Sequence, residues 1–121
     1  MTNKEKKNDL GILKINNEVI ASIAKNAALQ VDGVVGIKSG PISAVFDVLR
    51  KGYHHKGITL DISENEVKVG VTIIVKYGVM IPDAANLVQE KIRNAIEEMT
   101  GLSVSEVNIN VADIQSENHQ F

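Results

Sequence analysis

Few side chains in this sequence carry chemistry, and their spacing decides what each can do. His54 and His55 are the candidates for metal binding or proton transfer. Adjacent residues of an extended segment point to opposite sides, and the remaining histidine, His119, sits near the end of the chain, so no third ligand converges on them. The pair reads as a solvated loop or as a pH-sensitive partner contact. Two acid pairs could serve general acid and base work: Glu64 with Glu66, and Glu97 with Glu98. The first flanks an expected turn and the second falls in an expected last helical turn, where negative charge opposes the dipole, so both read as acidic surface.

Arg50, Lys51 and Lys56, with Tyr53, His54 and His55 between them, form the one basic loop with an aromatic residue inside it. Arg50 could grip a phosphate through two parallel hydrogen bonds, but three charges would hold a polyanion weakly and with steep salt dependence. Gly33-Val34-Val35-Gly36 has the letters of a backbone-clamping loop of nucleic-acid-binding domains, yet two valines at its centre suit a buried strand better. Cysteine is absent, which removes disulfides, thiolate ligands and thiol nucleophiles together. The sequence has no phosphate-binding glycine loop, no serine elbow and no His-Glu-x-x-His helix. No cofactor and no metal is therefore assigned, and no nucleophile, base and orienting group can be assembled.

The elements that must position these residues are easier to read. The chain has 121 residues, 44% hydrophobic and 23% charged, which is the composition of one globular domain. A net charge of −2 gives no global field to hold a polyanion or an anionic membrane, and two Phe, two Tyr and no Trp make a poor stacking platform. Met1 to Asp9 is polar, unlike a signal peptide, and no apolar window is long enough to span a bilayer. The expectation is a cytoplasmic protein without membrane insertion.

Leu10 to Ile15 reads as a strand leading to Asn16 and Asn17, which can cap a helix over 17–31 whose apolar face is Ile20, Ile23, Ala24, Ala27 and Val31. Val34 to Lys38 is a brief strand, and Pro41 to Lys51 a short extra helix. The clearest signal is alternation: Ile58, Leu60 and Ile62, then Val67, Val69, Val71, Ile73, Val75 and Tyr77, with a turn at Glu64-Asn65. A second long helix starts at Pro82, carries Ala85, Val88, Ile92, Ala95, Ile96 and Met99 on one stripe, and stops at Gly101. Val107, Ile109 and Val111 alternate in a last strand. The expected fold class is α+β, a small mixed sheet with two main helices packed on one face plus a short extra helix. Its domain covers 10–114, between flexible tails at 1–9 and 115–121.

The run from Ile81-Pro82-Asp83-Ala84-Ala85-Asn86-Leu87-Val88-Gln89-Glu90-Lys91-Ile92, through Glu98-Met99-Thr100-Gly101-Leu102, to Val104-Ser105-Glu106-Val107-Asn108-Ile109-Asn110-Val111 resembles the bacterial alkaline shock protein family. Gly11-Ile12-Leu13-Lys14-Ile15, Val34-Val35-Gly36-Ile37 and Val75-Lys76-Tyr77-Gly78 resemble it too. The resemblance implies a cytoplasmic Gram-positive protein of envelope and alkaline stress response. It implies no established catalysis, a tendency to self-associate, and attachment under the membrane through a separate membrane-anchored protein partner. It supplies no catalytic residues.

If two helices cover one sheet face, the other presents Thr59, Asp61, Lys68, Gly70, Thr72, Ile74, Asn108, Asn110 and Ala112. Gly70, Thr72 and Ile74 form a weakly apolar strip there, a candidate interaction surface for a homo-oligomer or a protein partner. Three readings stay open: a non-catalytic interaction protein, an RNA- or DNA-binding module using the Arg50–Lys56 loop, and a small-ligand carrier or enzyme with an unrecognised pocket. The first is preferred.

Overall fold

A computed structural model describes residues 14–39 and 52–116. The elements run α1 (Asn17–Leu29), β1 (Val34–Ile37), β2 (Tyr53–His55), β3 (Ile58–Ser63), β4 (Glu66–Lys76), α2 (Ile81–Thr100) and β5 (Ser103–Gln115). The expected short helix at 41–51 lies outside the described residues, as do residues 10–13 of the expected strand Leu10 to Ile15, whose described part, Lys14 and Ile15, is not in a strand.

β4 is the spine of one five-stranded mixed sheet. β3 pairs antiparallel with its first half and β1 with its second, while β5 runs parallel along its whole length. Thr72 shows that β1 and β3 share one edge of β4. Its N–H donates to the Gly57 carbonyl at 3.0 Å, and its carbonyl accepts from the Lys38 N–H at 2.9 Å. Both groups of an extended residue point the same way, so β5 holds the opposite edge.

The alternation fixes which face is buried. Val67, Val69, Val71, Ile73 and Val75 are each no more than 2% exposed and pack under both helices. Burial of each β-branched side chain is worth roughly 1.5–3 kcal/mol, so a one-residue register slip that turned the row outward would be prohibitive. Tyr77, expected to extend that row, is 67% exposed instead. β4 stops at Lys76, and the chain then turns through Gly78 at φ 96°.

α1 meets the sheet through Ile20, Ile23, Ala24 and Ala27, with Ile15 packed at its entrance. Asn16 takes the N-cap position, but its side chain makes no capping hydrogen bond. Its backbone carbonyl accepts the Val19 N–H at 3.1 Å. The helix closes at Leu29, two residues before the expected end.

α2 buries Ala84, Val88, Ile92 and Ile96. Ala84 replaces the expected Ala85 because the buried row follows strict i, i+4 spacing, which leaves Ala85 and Ala95 half-buried on its flanks. Met99, expected in the stripe, is 71% exposed. The end of α2 is well determined: Gly101 adopts φ 77° and its N–H donates to the Glu97 carbonyl at 3.0 Å. The Thr100 hydroxyl donates to the Ile96 carbonyl at 2.6 Å and accepts the Leu102 N–H at 3.1 Å.

Both tight turns depart from expectation in an instructive way. At the Ser63–Glu66 turn the positive φ of 54° falls on Glu64, not on Asn65. The expected basic loop Arg50–Lys56 is, over its described residues 53–56, a strand leading into a hairpin turn at Lys56-Gly57. Lys56 at φ 47° and Gly57 at φ 86° supply the two consecutive positive angles of a type I′ connection. That geometry brings Tyr53 opposite Leu60, His54 opposite Thr59 and His55 opposite Ile58.

Candidate docking surfaces

The sheet face away from the helices does not form the open strip expected of it. Gly70 is buried, and Thr72 and Ile74 are half-buried. Thr59, placed across from Gly70, is 5% exposed, and among the described residues its hydroxyl oxygen has no hydrogen-bond partner. The Ile74 side chain folds back over β1, where its Cδ1 would stand 3.8 Å from a Cβ at Gly36. What remains polar and open on this face lies at its ends. Asp61, Lys68 and Glu106 form one cross-strand row of alternating sign, and the Asn108 amide donates to Glu106 at 2.8 Å.

The basic candidates do not gather into a described patch. Arg50 and Lys51 lie outside the described residues, Lys56 is exposed at its turn, and Tyr53, His54 and His55 form β2. Among the described residues no three His, Asp or Glu side chains group to hold a metal ion.

Two features missed by sequence reasoning stand out. The first is a groove of about 410 Å³ between α1 and α2 on the outer side of the helical layer. Ile23 and Ala27 line one wall and Leu87, Ala95 and Met99 the other, with Lys91 and Glu98 at the rim. Leu87 is 46% exposed, so the groove presents apolar surface to solvent.

The second is the outer edge of β5. Gln115 gives its carbonyl inward to the Tyr77 N–H at 2.9 Å. Counting back along the strand, and allowing for the register shifts that leave Ala112 and Ser105 out of the pairing, the backbone groups of Ile114, Val111, Ile109, Val107 and Val104 point outward. α2 closes part of this edge. Glu97 accepts the Val104 N–H at 2.9 Å, Arg93 Nε donates to the Val104 carbonyl at 3.5 Å, and Gln89 Nε2 donates to the Val107 carbonyl at 3.0 Å. These three residues recur every four positions and so form one row on the helix. At the far end the Asp113 carboxylate accepts the Ile114 N–H at 2.9 Å.

The model of the alkaline shock protein 23 family, described as having a cell envelope-related function, matches residues 5–116. The chain belongs to this family. The Bacillus subtilis (strain 168) protein YqhY is 39% identical over 106 residues, 88% of this chain and 78% of that one. YloU of the same organism is 33% identical over 110 residues, 89% and 92% of the two chains. A Streptococcus pyogenes stress response regulator gls24 homolog is 27% identical over 107 residues, 88% of this chain and 60% of its own length. The resemblance read from Ile81 to Val111 is thus borne out by stress-response relatives in Gram-positive bacteria.

Among solved structures, a variant of the MamM CTD superposes with a TM-score of 0.51 at 15% identity, covering 82% of this chain and 96% of that one. Another, titled as a copper form, gives 0.51 at 13% identity, covering 83% and 100%. That likeness is one of fold. No helix among the described residues is long and apolar enough to cross a membrane.

Proposed function

We propose that this family member is a non-catalytic protein of the envelope stress response that works by self-association and by docking on a protein partner held in the membrane. The observation that carries the reading is where its unsatisfied surface lies. The helix-facing side of the sheet is filled by core side chains. The apolar and hydrogen-bonding capacity left over is displayed in the α1–α2 groove and along β5. Such features bind chains rather than transform small molecules. The Gly70, Thr72 and Ile74 strip contributes little to docking on this reading, since its members are buried or half-buried. Among the described residues no convergent polar site supports the enzyme reading, and Arg50 and Lys51, on which the nucleic-acid reading rests, lie outside them.

Fractionation of cells that produce this chain natively tests the proposal. The chain should appear in the envelope pellet and be released by an alkaline carbonate wash without detergent, as a protein held through contacts and not inserted. Recovery entirely in the soluble fraction under envelope stress would count against the partner-held part.

A further inference from the structure

The row of side chains that closes the edge of β5 stops short. Glu97, Arg93 and Gln89 cover Val104 and the Val107 carbonyl, and Asp113 covers the Ile114 N–H. The next position in the helical row is Ala85, which has no polar atom to offer. Among the described residues nothing pairs with the outward N–H and C=O groups of Ile109 and Val111. An uncovered edge is normally blunted by charge, proline or a bulge. Here the segment Val107-Asn108-Ile109-Asn110-Val111 carries no charge and no proline, and the register shifts, at Ser105 and Ala112, fall outside it.

We infer that this window is a pairing site for the same window of a second copy, joined antiparallel about a twofold axis at Asn110. The inference rests on the interaction reading above and gives it an address. Three features select a second copy. With the axis at Asn110, Ile109 of each copy faces Val111 of the other, and four backbone hydrogen bonds satisfy the outward N–H and C=O groups of Ile109 and Val111 in both copies. The half-buried Ile109 and Val111 side chains then meet as β-branched cross-strand pairs on the helix side. A neutral window also meets a neutral window, whereas a basic or acidic peptide would find no counter-charge within it. The alternative axis at Ile109 would demand the Val107 carbonyl, which Gln89 already occupies. The result is a continuous sheet across two copies.

The register is testable because the chain has no native cysteine. Across the axis the two Asn110 Cα atoms form a non-hydrogen-bonded pair about 4.5 Å apart, which a disulfide can bridge. The two Asn108 Cα atoms lie about 14 Å apart, which it cannot. Both positions are exposed, so neither substitution threatens folding. Asn110→Cys should oxidise to a covalent dimer at least tenfold faster than Asn108→Cys, and reductant should reverse it. Equal rates for the two variants, or no dimer from Asn110→Cys, would overturn the inference. If Asn110→Cys fails to cross-link while the wild-type chain still doubles its mass, the edge is wrong and the interaction reading survives. A wild-type chain that stays at 13.1 kDa and is absent from the envelope fraction removes both.

Discussion

Ile92→Ala is expected to lower unfolding stability by about 2–5 kcal/mol, the range for removing three carbons from a well-packed core. Ile92 is fully buried at the middle of the α2 row Ala84, Val88, Ile92 and Ile96, over the β4 valines. The surrounding strands are fixed by pairing on both edges of β4, so the cavity cannot readily collapse. A domain of this size is stable by roughly 5–15 kcal/mol in all, so the loss is a large share of the total. Urea titration should show the midpoint falling with its slope unchanged. Asn94→Ala, two positions along on the exposed face, should stay within about 0.5 kcal/mol of the parent. Equal effects at the two sites would mean that α2 does not pack as described.

Gly57→Ala should be nearly as damaging, for a different reason. Gly57 has φ 86°, and a Cβ there would run into the Lys38 carbonyl oxygen and stand 2.8 Å from Ile37 Cγ2. The obstacle is backbone of the residue whose N–H bonds Thr72, at the point where β1 and β3 meet end to end along β4. The left-handed backbone costs an alanine about 1–2 kcal/mol, and crowding against a fixed neighbour adds about 1–3 kcal/mol. Gly78 separates the two contributions, since its φ is 96° but a Cβ there meets nothing within 4 Å. Gly78→Ala should therefore show only the backbone part. Thermal unfolding of both variants measures the difference, and equal shifts would remove the steric account of Gly57.

What the sequence made legible follows from the length of each signal. β4 spans eleven residues with an unbroken period of two, and its buried face is correct at every position through Val75. α2 spans twenty residues, and the Pro82 start and Gly101 stop are where residue chemistry puts them. Short signals fared worse. Charge and aromaticity mark Arg50 to Lys56 as a basic loop, whereas Lys56-Gly57, whose glycine suits the second position of a type I′ turn, makes its second half a hairpin. Ala85 is half-buried and Met99 exposed, against expectation, because an apolar stripe along one helix does not specify which flank the sheet covers. The strip at Gly70, Thr72 and Ile74 was expected to be open because alternation names faces but not what closes them.

The edge of β5 was beyond reach for a deeper reason. Which backbone groups of a strand are left over depends on which neighbour lies on each side, and on bulges that shift the parity. From sequence Glu97 reads as acidic surface opposing the dipole, and nothing there singles out Gln89 or Arg93 beside it. Their spacing acquires meaning only when β5 runs beneath them in the register that β4 imposes. Ala85, unremarkable as a residue, becomes the place where that protection ends.

The most direct measurement is the solution mass of the untagged wild-type chain by light scattering over a wide concentration series. The account predicts a rise from 13.1 kDa toward twice that value, with Asn110→Asp, which sets like charges across the axis, held at the lower mass. A wild-type chain that remains at 13.1 kDa at every concentration would contradict it.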